Sequence, residues 1–377
     1  MTLKVLLIGA DGFIGKNLQL HLAERKDVQV VCFTRSNDLA ELPTLLQGVD
    51  LVFHLAGINR PRDPAEFVSG NVGFTQALCQ VVGQMAVTTG KRVPIVCTSS
   101  TQAAADNPYG QSKRGAEAAL LALASSHQVP VHIFRLPNVF GKWCKPNYNS
   151  AVATFCYNIA RGLPIQINDL AAPVTLVYVD DVIERFVQLM DDAHAAVGAD
   201  GFASVTPQYA TTVGELARQI QAFKDGRTTL TTERVGTGLV RALYATYVSY
   251  LPPGLFAYAV PQHSDPRGVF VEMLKTPDCG QFSYFTAHPG ITRGGHYHHS
   301  KSEKFLVIKG QARFKFRRML SSETHELFTC GDKAEVVETV PGWTHDITNI
   351  GTDEMIVMLW ANEVFDRERP DTFACSV

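Results

Sequence analysis

The sequence predicts an α/β fold joined to an all-β one: an N-terminal doubly wound parallel sheet followed by a C-terminal antiparallel barrel. Three observations carry this. The chain opens on an apolar run, Val5-Leu6-Leu7-Ile8, which enters the turn Gly9-Ala10-Asp11-Gly12-Phe13-Ile14-Gly15 and then a helical stretch to about Glu24. Unbroken apolar runs mark parallel strands covered by helices on both faces. Beyond His263 the pattern becomes one of short alternating strands, and 377 residues suffice for two separate cores.

Composition narrows the function. A formal charge of −2 steers the chain to neither nucleic acid nor an anionic membrane. No apolar run reaches the roughly 18 residues of a membrane span, and MTLKVLLIGADGF meets glycine and aspartate too early for a signal peptide. A cytoplasmic protein with no nucleic-acid partner and no membrane insertion is expected. The eight cysteines show no CxxC or paired spacing, which fits reduced, buried thiols.

The elements follow in order. Glycines between the first strand and helix permit the tight turn and let backbone approach a pyrophosphate, with the helix N-terminus facing the anion. The second strand, residues 28–33, ends in Thr34-Arg35, where an acidic residue would suit the ribose hydroxyls of NAD; an arginine suits a 2′-phosphate, so NADPH is expected. Asp50 to Gly57 is the next buried strand with its cofactor-side turn, and Asn71 begins an amphipathic helix. Residues 94–97 lead a strand into Thr98-Ser99-Ser100-Thr101, after which Tyr109-Gly110-Gln111-Ser112-Lys113 opens a further helix. Four apart on a helix, Tyr109 and Lys113 share a face, so the ammonium is expected to lower the phenol pKa. With a strand-end serine they form an acid–base set for moving a proton while hydride passes to or from a nicotinamide.

GADGFIG, DLVFHLAG, the Asn71 helix, SS followed by YGQSK, FRLPNVFG and VYVDDVIERF together resemble the extended short-chain dehydrogenases/reductases, Rossmann-type enzymes of nucleotide sugars. The resemblance covers residues 1 to about 245. It implies a UDP-sugar substrate, catalytic Ser100 (Ser99 a close second), Tyr109 and Lys113, and cofactor contacts from Gly9, Asp11, Gly12, Phe13, Ile14, Thr34, Arg35, Leu55, Ala56, Gly57 and Leu136 as well as Tyr109 and Lys113. Substrate contacts are expected from Asn138 and Lys142, beside the irregular stretch WCKPNYNS. An aromatic-rich helix and Pro252-Pro253-Gly254 then connect the expected domains, residues 1–250 and 251–377.

In the second domain, His296 and His298 are two apart on an expected strand, hence on one face. Glu303 follows, Gly290 and Gly310 bracket the stretch, and PGWTHDITN adds His345. Three imidazoles and a carboxylate complete a first shell for one divalent transition metal, zinc foremost. The spacing resembles the cupin family, whose jelly-roll barrel it implies; the Pro341-Gly342 pair stands one residue off the second cupin motif. Asp265-Pro266-Arg267-Gly268 and HPGITRGGHYH resemble the sugar C3/C5 epimerases of nucleotide-linked 4-ketohexoses. This implies substrate contacts from Arg267 and Arg293 and gives His296 a second role, as base. A coordinated imidazole cannot abstract a proton, so the ligand role is preferred, and Tyr284, Lys304, His299 and Asp346 are the acid–base candidates. The whole chain resembles the bifunctional reductase/C3-epimerases of capsule and O-antigen synthesis, and is expected to be a homodimer. That resemblance implies a barrel that inverts C3 of a UDP-2-acetamido-2,6-dideoxy-4-ketohexose, and an N-terminal domain that reduces C4 with NADPH to UDP-2-acetamido-2,6-dideoxy-L-talose, toward UDP-N-acetyl-L-fucosamine.

Overall fold

The computed structural model describes residues 2–192, 201–265, 268–271, 274, 280–363 and 368–377. The chain forms two compact units, Met1–Val139 with Thr175–Ala210, and Phe140–Val174 with Thr211–Val377. Each unit is discontinuous in sequence, because the chain leaves the first after Val139 and returns to it at Thr175.

In the first unit six parallel strands, β1 (Leu3–Ile8), β2 (Val28–Phe33), β3 (Leu51–His54), β4 (Ile95–Ser100), β5 (Val131–Leu136) and β6 (Phe202–Ala203), lie in the order β2-β1-β3-β4-β5-β6. One face carries Leu6, Ile8, Val52, Ile95 and Ile133 against Leu78 and Val82 of α1 (Phe74–Thr89) and Leu120 and Leu123 of α2 (Pro108–His127). On the other, Phe53 and Phe134 pack on Phe186 of the helix Val179–Asp191, with ring centroids 5.7 and 5.0 Å apart. Both faces are covered, which is why the strands read as unbroken apolar runs.

In the second unit, helices α3 (Val213–Thr229) and α4 (Gly238–Ser249) accompany two antiparallel sheets. The first is formed by β7 (Ala257–Ala259), β8 (Gln281–Ala287), β10 (Glu303–Lys309), β13 (Glu335–Glu338) and β15 (Met355–Ala361), in the order β7-β13-β10-β15-β8. The second is formed by β9 (Thr292–Tyr297), β11 (Gln311–Arg318), β12 (Thr324–Cys330), β14 (Trp343–Asn349) and β16 (Phe373–Ala374), in the order β12-β11-β14-β9-β16. Phe305 of the first sheet meets Phe314 of the second at 5.7 Å, so the sheets close on a shared aromatic interior. The α/β class of the N-terminal part and the antiparallel β class of the C-terminal part agree with the sequence reading. No helix among the described residues is long and apolar enough to cross a membrane.

Candidate active site and metal centre

The glycine-rich turn is built as its sequence implies. Gly9 holds φ at +86°, and a Cβ there would lie 2.7 Å from the Ala56 nitrogen, so the turn sits directly against the end of the third strand. The helix Phe13–Ala23 then begins with its amides free of side-chain caps. Arg35 is exposed just past β2, in a turn closed by the Thr34 amide donating to Asn37 Oδ1 at 2.9 Å.

Beneath lies the Ser/Tyr/Lys set. Asn71, in a widened turn before α1, accepts the Ile58 amide at 2.7 Å and donates to Ser112 Oγ at 3.0 Å, tying that turn to α2. Ser100 accepts the Gln102 amide at 3.2 Å and lies close enough to Tyr109 to lower its pKa, whereas Ser99 turns the other way and donates to Glu117 at 2.5 Å. Neighbours on a strand face opposite ways, and this separates the two serines that sequence leaves open. Lys113 is buried and donates to the Thr98 carbonyl at 3.0 Å. A Cβ on Gly57 would sit 3.4 Å from its ammonium, so the cofactor-side turn and the lysine meet. The expected direction of the Tyr109 shift is reversed: burial pushes the phenol up, against a smaller lowering by Ser100. Burial thus favours the protonated phenol. Burial likewise lowers Lys113, and it holds His54, whose Nε2 donates to Thr75 Oγ1 at 2.8 Å, neutral with a pKa lowered to about 3.

Of the substrate candidates, Asn138 is exposed and donates to the Thr175 carbonyl at 3.2 Å. Lys142 is buried, its ammonium 5.7 Å from the Trp143 ring centroid. Leu136 is buried at the end of β5. Arg267 lies outside the described residues.

In the barrel, His296, His298, Glu303 and His345 converge, each with a ligand atom within 4.8 Å of the others'. A bulge does this: Gly294 pairs with Asp346 and His296 with His345, leaving Gly295 as the extra residue. Both glycines have positive φ, +91° and +70°, so the GG of GGHYH is what aims His296 inward beside His345. Ring centroids of the three histidines are 4.8 to 5.3 Å apart. His298 Nε2 lies 3.1 Å and His345 Nε2 3.5 Å from Glu303 Oε2. Burial would raise Glu303, but His298 and His345 hold it well below the usual carboxylate range. Burial lowers His296 to about 4, aided by His345 and His298. Three imidazoles around one carboxylate, with neither His345 nitrogen hydrogen-bonded among the described residues, suit a borderline divalent ion.

Two barrel candidates stand elsewhere. Alternation places Lys304 on the face of β10 opposite Glu303. There it is buried in an ion pair with Glu338 and donates to Tyr258 at 2.9 Å. Tyr284 shares a row with Met358 and Leu306, is 73% exposed, and also faces away from the interior. Arg293 pairs with Ile347 and so shares the face of His345; its guanidinium lies 5.2 Å from the Phe285 ring. Sequence reasoning missed Lys301, which is buried with its ammonium 3.4 Å from Glu303 Oε1. It sits in the loop between β9 and β10, where strand parity gives no signal.

Comparison with known proteins follows both domains. The NAD dependent epimerase/dehydratase family model matches residues 5–200, and the polysaccharide biosynthesis C-terminal domain matches residues 263–373. A UDP-2-acetamido-2,6-β-L-arabino-hexul-4-ose reductase of Pseudomonas aeruginosa is 61% identical over 375 residues, covering 100% of this chain and 99% of its own. The crystal structure of the capsular polysaccharide assembling protein CapF from Staphylococcus aureus matches over 100% of both chains at 39% identity and a TM-score of 0.66. The UDP-glucuronic acid 4-epimerase of Bacillus cereus, solved in complex with NAD, shares the fold over 60% of this chain and 84% of its own, at 19% identity and a TM-score of 0.50.

Proposed function

The chain belongs to the family of UDP-2-acetamido-2,6-β-L-arabino-hexul-4-ose reductases and to the NAD-dependent epimerases/dehydratases, and on that premise we propose that it is bifunctional. The barrel inverts C3 of a UDP-2-acetamido-2,6-dideoxy-4-ketohexose, and the N-terminal site reduces C4 to give UDP-2-acetamido-2,6-dideoxy-L-talose, on the way to UDP-N-acetyl-L-fucosamine. The observation that carries this reading is the presence, in one chain, of the Ser100–Tyr109–Lys113 set and the separate four-ligand cluster of His296, His298, Glu303 and His345.

In the reductase, NADPH supplies the hydride. Tyr109, whose protonated form burial favours, gives its proton to the C4 oxygen, Ser100 orients that oxygen, and the Lys113 charge favours the phenolate left behind. In the barrel, a C3 proton beside the ketone is acidic only where negative charge on the C4 oxygen is stabilised. A divalent ion, zinc foremost, supplies that Lewis acidity when bound. Glu303 and the three histidines would hold it, and Phe305, Phe314 and Phe316 exclude water around it. Lys301 adds positive charge on the same side. Epimerisation precedes reduction, because reduction removes the ketone that makes C3–H acidic.

The test is to incubate the protein without NADPH in deuterated water with the UDP-4-keto-6-deoxy sugar and to follow C3–H by NMR. Exchange that stops when the metal is chelated and resumes on readdition supports the reading. No exchange by the metal-loaded protein leaves a reductase with a structural barrel.

The NADPH preference is part of the same proposal, supported by exposed Arg35 at the end of β2. Arg35→Ala should lower kcat/KM for NADPH by about 10- to 100-fold, the worth of one charge-assisted phosphate contact, and leave NADH unaffected. Equal losses with both cofactors would remove the 2′-phosphate argument.

A further inference from the structure

We propose that the C-terminal segment Asp371–Cys375 belongs to the metal centre, with Asp371 the positioning residue that shapes the loop bearing its ligands. The inference rests on the metal reading above. The Asp371 carboxylate accepts three consecutive backbone amides, from His299 at 2.8 Å, Ser300 at 2.7 Å and Lys301 at 2.6 Å, and the Ser300 hydroxyl at 3.1 Å. Successive amides turned onto one anion form a concave nest, here closed by the protein's own carboxylate.

The same segment reaches three of the four ligands. The Asp371 carbonyl accepts from His298 Nδ1 at 2.5 Å, which orients the ring so that Nε2 faces Glu303 Oε2 at 3.1 Å. Thr372 Oγ1 accepts from Lys301 at 2.9 Å, and Lys301 in turn faces Glu303. Ala374 pairs with His296 in the ladder between β9 and β16, and the Cys375 amide donates to the Gly295 carbonyl at 2.8 Å, at the bulge that aims His296. A segment some seventy residues beyond these ligands in sequence thus orients them. Outer contacts of this kind typically change metal affinity by 10- to 100-fold.

Zinc affinity by competition with a chromophoric chelator, together with the visible spectrum of the cobalt-substituted protein, tests this on the full chain. Asp371→Ala should weaken zinc by about 10- to 100-fold and alter the cobalt spectrum. Asp371→Asn, which keeps the shape but offers one acceptor oxygen, should fall between. Melting curves of the metal-free proteins report whether each variant is folded. Wild type that binds zinc beside a folded Asp371→Asn of equal affinity and unchanged spectrum would overturn the inference alone. Wild type that binds no metal would overturn the metal reading and the inference together.

Discussion

Tyr109→Phe should lower C4 reduction by about 10²- to 10⁴-fold, the usual worth of a positioned general acid, while C3 exchange in the barrel continues at the wild-type rate. Phenylalanine keeps the ring, which packs 5.7 Å from Phe67, and removes only the hydroxyl that meets Ser100. The loss should fall on kcat, since the proton is delivered in the transition state. His298→Ala should do the converse, abolishing exchange and sparing reduction of substrate already inverted at C3. The crossed pattern requires two catalytic centres in one chain. If Tyr109→Phe also stopped exchange, the barrel would have no independent chemistry. If both reactions survived, Tyr109 would not be the acid.

The two sites differ in how much of them sequence could reveal, for physical reasons. Local geometry was legible. GADGFIG encodes a turn in which Gly9 must approach Ala56, and GGHYH encodes a bulge, because two adjacent residues at positive φ call for glycine. Alternation was less safe. It puts His296 and His298 on one side, where they converge with Glu303 and His345, and it sends Lys304, next to Glu303, to the opposite face. The ammonium beside Glu303, that of Lys301, lies off the strand, where no periodicity applies. Ser99 and Ser100 could not be separated without knowing that Glu117 and Arg135, from α2 and β5, claim Ser99 by way of the same buried carboxylate. Asp371 was invisible because its role is a long-range one. Nothing local distinguishes an aspartate that collects three amides seventy residues away from one in water.

Glu338→Ala should lower the stability of the second unit by about 3–5 kcal/mol, the cost of stripping a partner from a buried ionic cluster, measured by urea unfolding of the full chain. Glu338 is 3% exposed. Lys304 and Arg227 both pair with it, Tyr244 donates to it at 3.3 Å, and the Arg227 guanidinium lies 4.3 Å from the Tyr258 ring. Without the carboxylate, Lys304 on the barrel keeps a charge with Tyr258 its one remaining hydrogen-bond partner among the described residues. Burial raises Glu338, yet Arg227 and Lys304 lower it further, so its folded pKa lies below the ordinary 4.5. Burial lowers Lys304, yet Glu338 raises it well above 10.5. A depressed carboxylate stabilises above pH 4.5 and loses that contribution as pH falls through its folded pKa. A raised lysine stabilises below pH 10.5 and loses its contribution as pH rises. The gap between wild type and variant should therefore be widest between those limits and narrow on either side. Glu338→Leu combined with Lys304→Met removes two of the three charges at similar volume, leaving Arg227 to the Leu255 carbonyl, and should cost less than Glu338→Ala alone, a non-additivity expected of groups in contact. A double variant less stable than Glu338→Ala would mean that the cluster stabilises by attraction rather than by avoiding an unpaired charge. A double variant that still exchanged C3–H would place Lys304 in the packing of this unit and leave the acid–base chemistry of the barrel to the groups around Glu303.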